Sequence, residues 1–206
     1  MQGRYPDFDV LAEAEHWDEV TRRIVLDRVE HVPPFRFFDE RERTVLKSFC
    51  DVVTEQHEEP RIPVLAYVDE KLFEGTLDGW QYDDMPDDRE TWRRVAVGLD
   101  EVALGEWRAQ SFAAAPLDIR MDIVGHFAEG RLHGGVWETL NVSRAWKVVT
   151  RALLASFYSH PWAWNEIGFG GPAYPRGYAA FGSPYLDSEA ESWETKEAVH
   201  TDPTGS

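Results

Sequence analysis

The sequence contains a single cysteine, Cys50, among 206 residues. One thiol excludes an internal disulfide and any metal cage built on cysteines. Cations are scarce as well, since 21 Lys and Arg stand against 38 Asp and Glu and give a formal net charge of −17. Nucleic acids and anionic membranes both bind basic faces, so this imbalance argues against either as a partner. No apolar run approaches the roughly 18 residues of a membrane-spanning helix.

Apolar and aromatic residues are plentiful. Hydrophobic residues make up 43% of the chain and charged residues 29%, the balance of a soluble globular protein. The length is sufficient for one domain with a sizeable core. Nine Trp, seven Tyr and eleven Phe indicate either a rich core or a large contact surface.

A pair of arginines near the start, Arg22 and Arg23, resembles the box of a twin-arginine export signal. The following residues, 27–31, carry three formal charges where an apolar stretch is required. We therefore predict a helix here and no signal peptide. Its inward side chains are expected to be Trp17, Val20, Ile24 and Leu26. The chain as encoded is expected to be cytoplasmic, and periplasmic only if it is exported with a partner.

Apolar residues recur at helical spacing along most of the chain, and no alternating strand pattern is present. Asp39 and Glu42 have the spacing of a capping box, which marks a helix start. The predicted helices cover about 15–29, begin at Asp39, run from Pro63 to Gly75, cover about 89–104, run from Pro116 to Gly130, and cover about 143–159. The predicted fold is all-α: a single domain of about six helices, followed by a long irregular C-terminal segment rich in aromatics and glycine.

The same spacing predicts which side chains are buried. In the fifth helix the expected row is Leu117, Met121, Val124 and Ala128. In the sixth helix it is Trp146, Val149, Leu153 and Phe157. Cys50 has apolar neighbours on the second helix and is expected to be a small buried side chain.

The chain divides by composition into three segments. Residues 1–14 are predicted to form an N-terminal arm, and residues 15–186 to form the helical domain. Residues 187–206 hold six acids and one Lys, which predicts a disordered, solvated tail.

Residues 160–186 differ from the rest of the domain. Five glycines and four prolines fall in this stretch, so we expect no long helix or strand in it. Seven aromatic residues lie there too, although exposed rings are unfavourable in water and burying one gains about 1.5–3 kcal/mol. The segment must therefore pack on its own helices or contact a partner, and the sequence leaves both open.

Within this segment His160 and Glu166 could form a general acid–base pair, which would make the chain a hydrolase-type enzyme. The alternative is structural. His160 would cap the end of the sixth helix, while Asn165 and Glu166 would fix the loop through hydrogen bonds to the loop's own backbone. A third hypothesis is a self-associating structural protein whose aromatic segment meets its own copy.

The run from Tyr158 to Tyr178 resembles the C-terminal signature of the gluconate 2-dehydrogenase subunit 3 family. The resemblance covers about residues 30–180 and includes the start of the second helix at Phe37-Phe38. It implies a non-catalytic small subunit that binds and stabilises an FAD-dependent sugar or sugar-acid dehydrogenase of the glucose–methanol–choline type. FAD would lie in that large subunit, this chain would hold no cofactor or metal, and a cytochrome c could be a further partner.

The resemblance supplies no catalytic residue for this chain, and it implies that the signature segment docks on the partner. The predicted partner-binding residues are Trp162, Trp164, Asn165, Glu166, Gly168, Phe169, Gly170, Gly171, Pro172, Tyr174, Pro175, Arg176 and Tyr178.

Overall fold

The computed structural model describes residues 8–76, 79 and 81–172. These residues form helices and no strand, which confirms the all-α class. Seven α-helices are present where the sequence predicted about six: α1 Glu19–Glu30, α2 Glu40–Val53, α3 Val64–Glu74, α4 Asp88–Gly105, α5 Leu117–Ala128, α6 Val142–Tyr158 and α7 Pro161–Ile167. Two short 3-10 helices, Val10–His16 and Gly135–Glu138, complete the described part.

Helix boundaries follow the capping residues that the sequence shows. The Asp39 carboxylate accepts a hydrogen bond from the Glu42 N–H and the Glu42 carboxylate accepts one from the Asp39 N–H, so the predicted capping box is confirmed. Asp87 is the N-cap of α4, and its carboxylate accepts a hydrogen bond from the Glu90 N–H. At the end of α3, Gly75 adopts the left-handed conformation with φ +73°, which glycine enters without steric cost.

The described chain packs as two compact units. The central unit is Pro33–Phe157, and the terminal unit joins the residues up to Val32 with those from Tyr158 onward. In the central unit α2 packs against α3, α4 and α5. Its core is aromatic: the Phe127 ring lies 5.9 Å from Phe49, 5.2 Å from Trp146 and 5.0 Å from Trp137, measured between centroids.

A buried carboxylate holds the backbone segment that precedes α2. Asp69 on α3 is fully buried and accepts hydrogen bonds from three successive backbone N–H groups, those of Arg36, Phe37 and Phe38. The shortest of these bonds is 2.7 Å. Because each amide hydrogen is satisfied by the same charged group, the segment before α2 has one fixed course.

The predicted buried face of α6 is confirmed for Val149, Leu153 and Phe157. The prediction for α5 is confirmed for Val124 and wrong for Leu117, Met121 and Ala128. Leu117 and Met121 are 36% and 53% exposed, while Ile123, Val124 and Phe127 are buried. The apolar residues of α5 lie on more than one side of the helix, and packing against α2 selects the side that contains Phe127. Cys50 is buried as predicted, and burial raises the pKa of its thiol.

None of the helices in the described part of the chain combines the length and the apolar character needed to cross a bilayer.

Candidate partner-binding site

The terminal unit contains the described part of the signature segment. Its core consists of Val10, Trp17, Val25 and Trp164. Phe8, Leu11 and Ala14 pack against that core. Val10 and Trp164 lie about 150 positions apart in sequence, so no local pattern could have placed them together. The described residues of the predicted arm, 8–14, therefore contribute to a packed unit.

The start of the signature segment forms a short helix of seven residues, α7, which agrees with the prediction that no long helix runs there but was not itself predicted. His160 is the N-cap of α7, Pro161 is at its first position, and Gly168 ends it with φ +67°. Proline is favoured at the first position of a helix, because it needs no amide hydrogen bond there. The sequence signal for this helix was present in Pro161 and Gly168, and it was interpreted as helix-breaking.

Trp164 faces the interior of its own unit. Its side chain is 7% exposed, and the indole Nε1–H donates a 2.7 Å hydrogen bond to the Tyr158 carbonyl. The Phe169 ring meets it edge-on, 5.6 Å away between centroids. One of the two described signature tryptophans is therefore used to hold α7 against the terminal core.

Asn165 ties α7 to the start of the described chain. Its Oδ1 accepts a 2.9 Å hydrogen bond from the Val10 N–H, and its Nδ2 donates one of 3.2 Å to Asp9. Asp9 in turn caps the first 3-10 helix through the Leu11 N–H. The prediction that Asn165 bonds to the backbone of its own loop is wrong, because its backbone partner is Val10, far away in sequence.

Gly171 passes too close to this core for any other residue. A Cβ atom at Gly171 would lie 2.8 Å from the Val10 Cγ2 and 3.2 Å from the Trp17 Cζ2, and its φ of +83° already favours glycine. This signature glycine is therefore required by packing within the terminal unit.

His160 is a buried cap and not an exposed base. It is 2% exposed, and its Nδ1 accepts the Trp162 N–H at 3.2 Å. It therefore caps the N-terminus of α7, whereas the sequence predicted that it would cap the C-terminus of α6. Burial lowers the pKa of His160 to about 4, and the Arg28 charge acts in the same direction. A hydrogen bond to the Arg28 backbone acts in the opposite direction. The ring is neutral at pH 7, and one nitrogen is already engaged in capping.

Other signature positions are more accessible. Trp162, Glu166, Gly170 and Pro172 are half-buried. Phe169 is 42% exposed, and Ile167, which lies in the same run but is not among the predicted partner-binding residues, is 52% exposed. Tyr174, Pro175, Arg176 and Tyr178 lie outside the described residues, as do residues 1–7 and the predicted tail at 187–206.

The face of α1 that meets the core is not the predicted one. Val25 is buried, as is Trp17 just before the helix, but Val20 and Ile24 are 55% and 48% exposed. Residues at spacing four share a helix face, so both Val20–Ile24 and Val25–Val29 satisfy the pattern. Packing against α7 and the first 3-10 helix selects the face of Val25.

The side chains of the described residues offer no obvious site for a metal. No group of three or more His, Cys, Asp or Glu is close enough to hold an ion in the described part. Two of the polar signature groups, His160 and Asn165, are bonded to backbone of their own unit. A third, Glu166, is half-buried. The arrangement can support a fold and present a surface.

Comparison with known proteins identifies the family. No curated protein and no solved structure matches the chain. The family model described as gluconate 2-dehydrogenase subunit 3 matches residues 40–171, which is well over half of the sequence and runs from the start of α2 to Gly171. The chain therefore belongs to the gluconate 2-dehydrogenase subunit 3 family, whose members are subunits of a multi-subunit dehydrogenase complex.

Proposed function

We propose that this chain is the non-catalytic small subunit of a sugar or sugar-acid dehydrogenase. In this proposal it binds and stabilises an FAD-dependent flavoprotein of the glucose–methanol–choline type and supports its folding or assembly. The observation that carries the proposal is the family match, which extends through α2 to α7. FAD and the oxidation of substrate belong to the large subunit, and a cytochrome c that takes up the electrons is a further partner.

The chemistry of the terminal unit supports a role in binding. A general base needs an accessible lone pair near its operating pH, whereas His160 is buried with its pKa lowered to about 4. Trp164, Asn165 and Gly171 are engaged in packing or in hydrogen bonds within the unit. The signature thus gives the terminal unit a rigid shape, and a pre-organised surface binds a partner at lower entropic cost.

In this proposal the large subunit determines the cellular compartment of the small subunit. The complex assembles in the cytoplasm, and the small subunit leaves it only together with an exported large subunit.

Co-expression tests the proposal. We expect the flavoprotein subunit from the same host to be soluble and loaded with FAD when this chain is present, and to be mostly insoluble or lacking FAD without it. The expected cause is that large apolar interfaces of obligate complexes are unstable when exposed. Soluble yield, flavin absorbance per polypeptide and co-purification are the measurements.

A matched control replaces the chain with its Trp164→Ala variant, which keeps the length and charge but lacks the ring at the centre of the terminal core. It should rescue the flavoprotein poorly. A folded, fully FAD-loaded flavoprotein that is made without this chain, and that does not associate with it, would contradict the proposal.

A further inference from the structure

Exposed apolar side chains are concentrated in the terminal unit. Thirteen large apolar side chains are exposed in the described chain, and six of them belong to the terminal unit, which makes up about a quarter of the described residues. The six are Val20, Ile24, Val32, Tyr158, Ile167 and Phe169. Single exposed apolar residues are common on proteins, but a concentration of them marks an interaction surface.

Two of these side chains form a stripe on α1. Val20 and Ile24 are one turn apart, so they lie on the same face of the helix, away from the buried Val25. Ile167 and Phe169 provide two more exposed apolar groups at the end of α7. We refer to Val20, Ile24, Ile167 and Phe169 as the outer apolar residues. β-Branched and aromatic side chains of this kind cover a contact with little loss of rotamer freedom.

The apolar cluster in the described part of the terminal unit is small. It consists of four buried residues, with three more packed against them. Apolar side chains that stay exposed add nothing to the stability that burial gives. Covering the outer apolar residues would therefore stabilise the unit as well as the contact.

The described part of the terminal unit is acidic overall, which restricts what can cover the outer apolar residues. It contains eight Asp and Glu and three Arg, and the three Arg lie on α1, where they balance the three acids of that helix. A second copy would bring the same net negative charge, and each chain has a formal charge of −17. Like charges across a contact oppose association, so the complementary partner has an apolar centre and a net positive charge around it.

From this complementarity we infer that the outer apolar residues of the terminal unit form the contact for the flavoprotein dehydrogenase subunit, at a surface with an apolar centre and a net positive charge. The inference rests on the proposed function and adds the surface that performs it. The contact predicted from the signature included Trp164, which is buried. The inferred contact uses instead two residues of α1, which are outside the signature, and the exposed end of α7.

A pair of matched double variants tests the inference. Val20→Glu/Ile24→Glu places two acids on the outer apolar residues of α1. Val97→Glu/Met121→Glu places the same two charges on the central unit, at side chains that are 44% and 53% exposed. The measurement is the affinity of each purified full chain for the purified flavoprotein subunit, with circular dichroism and thermal unfolding as checks of folding.

We expect the α1 variant to bind at least about tenfold more weakly, and the central-unit variant to bind as the native chain does. Binding of the native chain should also weaken as salt is raised, because salt screens the attraction between opposite charges. If the α1 variant does not fold, Ile167→Ser/Phe169→Ser replaces it, with the same expectation. Unchanged affinity of the folded α1 and α7 variants would overturn the inference.

Other outcomes separate the alternatives. If the native chain does not bind the flavoprotein at all, the proposed function fails and the inference fails with it. If the native chain binds and only the central-unit variant is impaired, the proposed function stands and the inferred surface is wrong. A dimer of the isolated chain that the α1 variant dissociates would assign this surface to a second copy. Tighter binding by a chain that ends at Pro172 would assign it to residues 173–206. Either result would also overturn the inference.

Discussion

Replacing Trp164 by alanine should reduce the stability of the terminal unit by about 3–5 kcal/mol, the usual effect of removing a large aromatic side chain from a core. The indole is 7% exposed and belongs to the same cluster as Val10, Trp17 and Val25. The variant also loses the hydrogen bond to the Tyr158 carbonyl. In a core of so few residues, this loss is expected to unfold the unit under native conditions.

Native-state hydrogen exchange measures the effect where it occurs. The amides of α1 and α7 should exchange at least about a hundredfold faster in the variant, while those of α2 and α4 keep their native rates. Trp162→Ala is the control, because Trp162 is half-buried and lies outside this core cluster. Its effect should be smaller. Native exchange rates in Trp164→Ala, together with lost binding of the flavoprotein, would instead assign the ring directly to the interface.

The stability of the terminal unit should fall between pH 6.5 and pH 4 because of His160. Burial lowers the pKa of this histidine to about 4, whereas in the unfolded chain it is about 6.5. Between these values the unfolded state binds a proton that the folded state does not, so folding becomes less favourable as the pH falls. The stability that the neutral, buried His160 ring contributes is fully present above pH 6.5. It decreases as the pH falls and is lost near pH 4. We expect a total loss of about 3 kcal/mol.

Many carboxylates titrate in the same range, so the effect of His160 is measured as the difference in unfolding free energy between the native chain and a variant without the histidine. His160→Asn removes the titrating ring and keeps a side chain that can cap α7, since asparagine is a favoured N-cap residue. Chemical unfolding at several pH values should show the native chain losing more stability than the variant between pH 7 and 4.5. Parallel curves for the two chains would show that His160 does not titrate in this way.

Local sequence signals predicted the central unit well. The capping box of Asp39 and Glu42 and the glycine end of α3 at Gly75 depend on residues a few positions apart, so the sequence contains the whole interaction. The apolar stripe of α6 was also predictable, because its apolar residues favour one face. The same reasoning failed for α1 and α5, where two faces are apolar and only tertiary packing decides between them.

The terminal unit was the less predictable part. Its contacts join residues that are about 155 positions apart, such as Val10 and Asn165, and no spacing rule reaches that far. The signature segment was correctly singled out by its rings and glycines. What the composition could not show is which rings face inward, and the structure places Trp164 inside and Phe169 partly outside.

Some residues of the terminal unit maintain its fold, and others are exposed for the proposed contact. Trp164, Asn165 and Gly171 keep α7 and the start of the chain in one packed unit. The proposed contact uses side chains that this scaffold turns outward. A substitution in the first group should therefore affect folding and binding together, while a substitution in the second should affect binding alone.

Hydrogen exchange of the full chain, alone and bound to its flavoprotein subunit, tests the central claim most directly. The account predicts that binding slows exchange in α1 and in residues 167–172, and leaves the exposed side of α4 and α5 unchanged. Slower exchange confined to α4 and α5, with α1 as accessible in the complex as in the free chain, would contradict it.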